Sequence, residues 1–223
     1  FVGTGNTGNY LKADAVAMTP TQNLTIMCWV YYDTTSETGR LYMIGRDGIN
    51  GYGAGIGLNN DGGGGNDVLH VYDGVAWVDP NITAGTGWHH IALVDRSGIQ
   101  YIYLDGNFVG SVNVADAVAA TQNTTVGVAF DVSAGSALSG DNRCSLIKTW
   151  SVALGTAQVQ AEMNSAFPLF GYTDGSLTMF WPLEKSGGAL SANNGIDFTQ
   201  KFTTTGSVTG APTWADNPPV ARC

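Results

Sequence analysis

The stretch GWHHIALVDRSGIQYIYLDGNFVGS, residues 87–111, carries three strand patterns in succession. Its middle part alternates strictly, with Ile102 and Leu104 on one face of the predicted strand and Tyr101 and Tyr103 on the other. Alternation with a period of two is the pattern of a β-strand, and the short turns between the three runs contain Asp, Gly and Asn. This stretch therefore predicts consecutive strands in a β-sheet protein.

Similar runs occur along the rest of the chain, separated by clusters of Gly, Asn and Asp. The predicted strands are residues 24–31, 41–45, 53–58, 68–72, 76–78, 88–95, 100–105, 108–112, 124–130, 145–150 and 177–181. The pair 68–72 and 76–78 resembles a hairpin across Asp73-Gly74, a favoured two-residue turn. Many short strands with turn residues between them are typical of an all-β sandwich or barrel.

One helix is predicted, over residues 156–165. Val159 and Met163 lie one helical turn apart, Thr156 is suited to cap the start, and Pro168 follows the end. We interpret residues 1–210 as one domain. Residues 211–223 contain three prolines and are predicted to form an extended C-terminal tail.

The charge balance excludes some partners. The chain has 18 Asp and Glu against 9 Lys and Arg, a net charge of −9. Phosphate backbones and anionic membranes would repel such a protein, so we expect no nucleic-acid partner. No apolar run approaches the roughly 18 residues of a transmembrane helix, so no membrane span is expected.

Three cysteines are present, at positions 28, 144 and 223. Cys28 lies within an apolar run and Cys144 begins another, so both are expected to be small buried residues. A disulfide between Cys28 and Cys144 stays open at this point, because an odd number of cysteines does not define a disulfide framework.

Several segments resemble the LamG/pentraxin-like branch of the concanavalin A-like lectin and glucanase superfamily. They are LTIMCWVYY (24–32), MIGRDGINGYGAGIGL (43–58), GWHHIALVDRSGIQYIYLDGNFVGS (87–111) and SLIKTWSVALGTAQVQAEMN (145–164). The resemblance covers most of the chain. It implies an all-β, two-sheet antiparallel jelly-roll sandwich with one short helix.

Some enzymes of this superfamily are retaining glucanases, which carry Glu-x-Asp-x-Glu on one strand so that the carboxylates share a face. In this chain no two acidic residues are spaced i and i+2. The sequence therefore predicts no glucanase activity and no catalytic residue. A polysaccharide lyase is a weaker alternative, for which His70 and Tyr72 are the candidates, whereas His89 and His90 are expected to be structural.

Two kinds of ligand site are predicted in the rim loops. Asp47, Asp61 and Asp67 lie in loops rich in Gly and Asn and are candidate ligands for Ca²⁺, which prefers six to eight oxygen ligands. The candidate carbohydrate-binding residues are three aromatic platforms with polar neighbours: Tyr52, Tyr72 and Trp77 with Asn50, Asn59 and Asp73.

The leading functional hypothesis is a non-catalytic module that recognises carbohydrate or a glycosylated surface, with Ca²⁺ as the candidate ion. It implies an extracellular or surface-exposed location. The alternative is a structural or decoration protein of a virion, fibre or other assembly, in which the tail 211–223 would reach a neighbouring subunit.

Overall fold

The computed structural model describes residues 2–3, 10–12, 23–32, 40–44, 54–58, 68–73, 76–114, 125–126, 142–171, 173–181 and 207–209. The predicted tail, residues 211–223, and its boundary at residue 210 lie outside them.

Fourteen strands and one helix are found in this part of the chain. They are β1 (Val2–Gly3), β2 (Tyr10–Lys12), β3 (Asn23–Tyr32), β4 (Arg40–Ile44), β5 (Ala54–Leu58), β6 (Val68–Tyr72), β7 (Trp77–Thr83), β8 (Gly87–Arg96), β9 (Ile99–Leu104), β10 (Asn107–Asn113), β11 (Thr125–Val126), β12 (Asn142–Trp150), α1 (Thr156–Met163), β13 (Leu177–Trp181) and β14 (Ser207–Thr209). The all-β class with one short helix is confirmed.

The strands form antiparallel sheets. The largest has seven strands in the order β1-β12-β3-β8-β9-β10, with β13 also paired to β12, and a four-stranded sheet has the order β4-β5-β6-β7. A three-stranded sheet, β11-β2-β14, completes the arrangement. The consecutive strands β8, β9 and β10, predicted from residues 87–111, form one edge of the large sheet.

An inner core joins the seven-stranded and four-stranded sheets face to face. Its buried residues come from both layers: Leu24, Ile26, Cys28, Val30, Ile91, Leu93, Ile102, Cys144, Ile147, Met179 and Trp181 from the large sheet, with Ala54, Ile56, Leu69 and Val71 from the small one. Because side chains alternate along a strand, these residues show which face of each sheet is internal. The predicted sandwich is confirmed.

Helix α1 covers part of the outer face of the large sheet. Val159 packs there with Met27, Ala92, Val94 and Trp150, residues that alternate with the inner core positions. The helix begins after Gly155 as its N-cap, and Thr156 is its first residue. The expectation that Thr156 caps the helix was therefore wrong. The side chain of Gln158 instead accepts a hydrogen bond from the backbone N–H of Gly155 at 2.9 Å.

The hairpin β6–β7 differs from its prediction. Tyr72 pairs with Trp77, so the loop contains four residues, 73–76, and not the two of Asp73-Gly74. The Asp73 carboxylate explains the difference, because its Oδ1 accepts a hydrogen bond from the backbone N–H of Ala76 at 2.8 Å. The backbone N–H of Asp73 also donates to the Ala76 carbonyl at 3.0 Å, which closes the loop.

Cys28 and Cys144 lie in the inner core, as expected, and neither forms a disulfide. Burial raises the pKa of the Cys144 thiol to about 12. Burial also raises the pKa of Cys28 well above its usual range, and the neighbouring Cys144 adds to this effect.

Candidate functional site

The hairpin β6–β7 holds the three predicted carbohydrate-binding residues that the structure describes: Tyr72, Asp73 and Trp77. The Tyr72 and Trp77 rings lie edge to face, with centroids 5.5 Å apart. Tyr72 is fully buried, whereas Trp77 is half-buried. Trp77 is therefore the accessible ring of the pair, and the buried Tyr72 ring packs against it from the neighbouring strand. The prediction that Tyr72 is an aromatic platform for a sugar does not agree with the burial of its side chain.

The two rings lie on the outer face of the four-stranded sheet. Their neighbours Val71 and Val78 point the other way and pack on the inner core. Alternation places Asp79 on the same outer face as Trp77. The side chain of Asp79 is 30% exposed, and its Oδ1 accepts a hydrogen bond from the backbone N–H of Asn81 at 2.7 Å. We call Asp73, Trp77 and Asp79 the hairpin surface.

The hairpin is attached to the opposite sheet. The side chain of Gln100, which is buried on β9, donates from Nε2 to the carbonyl oxygen of Tyr72 at 2.9 Å. This bond crosses from the seven-stranded to the four-stranded sheet at the point where β6 ends. The end of β6, next to the strand that carries Trp77, is thereby tied to the opposite sheet.

The remaining predicted site residues lie outside the part of the chain that the structure describes. They are Asn50, Tyr52 and Asn59 of the carbohydrate set, and Asp47, Asp61 and Asp67 of the Ca²⁺ set. Within the described residues, no three His, Cys, Asp or Glu side chains are grouped as a metal site would need.

The histidines have structural surroundings. His70 is fully buried, with Nε2 3.9 Å from Asp79 Oδ2, so the two lyase candidates, His70 and Tyr72, have no exposed side chain. Nδ1 of His89 is 2.9 Å from Asp105 Oδ2. His90 is buried edge-on to Trp29, and burial, followed by the charge of Lys148, lowers its pKa to about 3. His90 is therefore neutral at physiological pH.

An open cleft of about 300 Å³, which was not predicted from the sequence, lies on the outer face of the large sheet. We call it the aromatic cleft. It is lined by Arg96, Tyr101, Tyr103, Phe108, Gly155 and Thr156. The signal was present in the alternation of residues 99–104, which sets both tyrosines on one face. The cleft itself could not be predicted from the sequence, because the residues that face the two tyrosines come from β10 and from the start of α1.

Among the residues that the structure describes, no helix has the length and apolar character needed to span a bilayer.

A family model described as the concanavalin A-like lectin/glucanases superfamily, of the laminin G type, matches residues 4–160. No curated protein sequence matches the chain.

Solved structures with a similar fold include a candidate carbohydrate binding protein from Bacteroides ovatus, with a TM-score of 0.66 and 18% identity. That match covers 99% of this chain and 61% of the other, so this chain spans about three fifths of the Bacteroides protein. Domain 4 of AbnA, an extracellular GH43 arabinanase from Geobacillus stearothermophilus solved with arabinotriose, has a TM-score of 0.51 and 22% identity over 73% of this chain and 75% of the domain. A pentraxin from Limulus polyphemus has a TM-score of 0.48 and 19% identity over 76% of this chain and 82% of its own. At these identities the likeness concerns the fold.

Proposed function

The chain belongs to the concanavalin A-like lectin/glucanases superfamily, and from this premise we propose that it is a non-catalytic module that recognises carbohydrate on an extracellular or other exposed surface. The superfamily includes both lectins and glucanases, so the choice between them depends on the side chains of this chain.

The acidic residues argue against glucanase chemistry. A retaining glycosidase needs two carboxyl groups about 5–5.5 Å apart across the scissile bond. The family strand that would supply them has no counterpart here, since no two acidic residues are spaced i and i+2 anywhere in the sequence. On the hairpin surface, Asp73 and Asp79 each use one carboxylate oxygen to bind a backbone N–H of their own loop. These bonds give both carboxylates a structural role.

The observation that carries the proposal is the position of Trp77. A half-buried indole lies on an outer sheet face, supported edge-on by the buried Tyr72 ring 5.5 Å away, and flanked by Asp73 and Asp79. A ring with an apolar face beside acceptor oxygens suits a sugar, whose C–H groups pack on the ring while its hydroxyl groups donate to the carboxylates. Because the hairpin is anchored through Gln100, little ordering would be required on binding.

The experiment is a binding screen of the full chain against neutral oligosaccharides, with arabinotriose among them, followed by calorimetric titration of each ligand that binds. Trp77→Ala is expected to raise Kd at least about tenfold, the size of an aromatic hot spot. Trp88→Ala is the matched control, because Trp88 is also half-buried and its ring is 5.5 Å from Tyr31. It lies on the large sheet, and its removal should leave Kd unchanged.

Two outcomes would contradict the proposal. If no neutral oligosaccharide binds, or if Trp77→Ala and Trp88→Ala weaken binding equally, the hairpin surface is not the carbohydrate site.

Calcium belongs to this proposal on the strength of the sequence, with Asp47, Asp61 and Asp67 as its ligands. Repeating the titrations with Ca²⁺ and with a chelator tests it. A Kd and a Tm that are the same in both conditions would remove calcium from the proposal and leave the role of Trp77 in place.

A structural or decoration role in a larger assembly is the alternative function. Its test is the mass of the full chain in solution compared with that of residues 1–210. A large assembly that dissociates on removal of 211–223 would favour it over carbohydrate recognition.

A further inference from the structure

The aromatic cleft lies on the opposite side of the sandwich from the hairpin surface. Tyr101 and Tyr103 alternate on β9 with Ile102, which points into the inner core, so both tyrosines are on the outer face of the seven-stranded sheet. Trp77 is on the outer face of the four-stranded sheet. A ligand in the cleft would therefore contact none of the residues assigned to the hairpin surface.

Three aromatic rings form the apolar part of the cleft. The Phe108 ring is 6.0 Å from Tyr101 and 5.9 Å from Tyr103, measured between centroids. Phe108 nevertheless remains 52% exposed, so a large apolar face is left open to solvent beside two tyrosines. An aromatic surface of this kind packs well against the C–H face of a sugar ring.

Arg96 supplies the charge. Its guanidinium lies over the Tyr101 ring, 5.6 Å from the centroid, and Nη2 makes one long hydrogen bond of 3.4 Å to the carbonyl oxygen of Leu154. Among the described residues, no carboxylate forms an ion pair with Arg96. A guanidinium has five N–H donors, so most of them remain available for a ligand.

Three other polar groups of the cleft have partners. The hydroxyl groups of Tyr103 and Thr156 lie 3.1 Å apart, and the N–H of Gly155 is bound by the Gln158 side chain. Arg96 is the one charged side chain among the residues that line the cleft. Recognition of charge in the cleft depends on Arg96.

We propose that the aromatic cleft is a second carbohydrate site, and that it binds a single acidic sugar unit, a hexuronate, through its carboxylate. Arg and carboxylate form bidentate, charge-assisted hydrogen bonds, and the aromatic rings contact the C–H face of the same unit. The volume of about 300 Å³ is at the lower limit for ligand sites, which suits one sugar ring and not a longer segment. This site stands independently of the hairpin surface.

The test is a ¹H–¹⁵N NMR titration of the full chain with methyl β-D-glucuronide, and with methyl β-D-glucoside as the neutral counterpart. We expect shifts at Arg96, Tyr101, Tyr103 and Phe108, and a Kd for the glucuronide at least about tenfold lower than for the glucoside. Added salt should weaken the binding of the glucuronide and leave the binding of the glucoside unchanged.

Two exposed positions can be changed without disturbing the core. Arg96→Gln removes the charge and keeps a polar side chain, although a shorter one, and it is expected to raise the Kd of the glucuronide about tenfold. Phe108→Ala should weaken the binding of both sugars. Its matched control is Phe167→Ala, since Phe167 is 64% exposed and its ring is 6.1 Å from that of Phe180.

The proposal is overturned if the two glycosides bind equally, if Arg96→Gln has no effect, or if the shifts map to the hairpin surface. Trp77→Ala should leave the glucuronide Kd unchanged. A loss of neutral oligosaccharide binding in Trp77→Ala would thus be distinguishable from a loss of glucuronide binding in Arg96→Gln.

Discussion

Asp95 and Gln100 are opposite each other on β8 and β9, and both side chains are buried. Asp95 Oδ1 and Gln100 Oε1 are acceptors, and neither has a hydrogen-bond partner in the described structure. Burial raises the pKa of Asp95 to about 6, although a hydrogen bond from the Gly98 backbone acts in the opposite direction. At neutral pH this pair therefore destabilises the fold.

We expect Asp95→Asn to stabilise the protein at pH 7, by about 1–3 kcal/mol. Asn carries no charge, so the variant avoids the cost of burying the Asp95 carboxylate. The folded-state pKa of Asp95, about 6, is above its ordinary value of 3.8, so the folded protein binds this proton more tightly. The wild type consequently regains the stability that it loses at neutral pH as the pH falls from about 6 towards 4.

Urea unfolding of both proteins at several pH values between 4 and 7 measures this difference. The advantage of Asp95→Asn should shrink as the pH falls. A difference that does not change with pH would show that the Asp95 carboxyl is not the group responsible.

Helix α1 and the loop after it are attached to β12 by one buried ion pair. Lys148 Nζ donates to Glu162 Oε2 at 2.7 Å, to the Glu162 carbonyl at 2.9 Å and to the Ser165 carbonyl at 2.8 Å. Glu162 Oε1 accepts from the backbone N–H groups of Leu169 at 2.6 Å and Phe170 at 2.9 Å. The pair thus organises the helix, its C-terminal loop and the sheet together.

Lys148→Met is expected to lower the free energy of unfolding by about 3–5 kcal/mol, because it leaves the Glu162 carboxylate buried without its counter-charge. The control is the double variant Lys148→Met/Glu162→Gln. Its neutral amide still offers Oε1 to Leu169 and Phe170, so it should be more stable than Lys148→Met alone. Urea unfolding of the three proteins gives both differences. A double variant no more stable than the single one would contradict this account.

At the scale of the molecule, the inner core separates the two outer faces, which carry the hairpin surface and the aromatic cleft. Cys28 and Cys144 lie within this core, on the two neighbouring strands β3 and β12. A reagent can reach either thiol only if the two sheets separate. Their raised pKa values also keep the thiols protonated, and the thiolate is the reactive form.

We therefore expect labelling of these two thiols to require global unfolding. In a Cys223→Ser variant, iodoacetamide should modify Cys28 and Cys144 at least about 10³-fold more slowly than a free cysteine, in proportion to the unfolded fraction. Mass spectrometry at increasing urea concentrations measures this dependence. Rapid labelling without urea, or a chain with no free thiol at either position, would disprove it.

Much of the fold was predictable because strand patterns are local. Alternation in residues 87–111 predicted β8, β9 and β10, and the spacing of Val159 and Met163 predicted α1. The errors concerned loop and helix ends. The carboxylate of Asp73 and the side chain of Gln158 accept hydrogen bonds from nearby backbone N–H groups. The same sequence is compatible with several such hydrogen bonds.

The sequence by itself determined the all-β class, the acidic charge and the lack of a paired-carboxylate motif, because each depends on residue type and short spacing alone. Tertiary structure alone decided that Trp77 is accessible while Tyr72 is buried, and that Glu162 is paired with Lys148. It also decided that Arg96 and Phe108 meet the start of α1 in one cleft. These relations join strands and a helix far apart in the chain, and long-range packing, which sets them, leaves no pattern in any single segment.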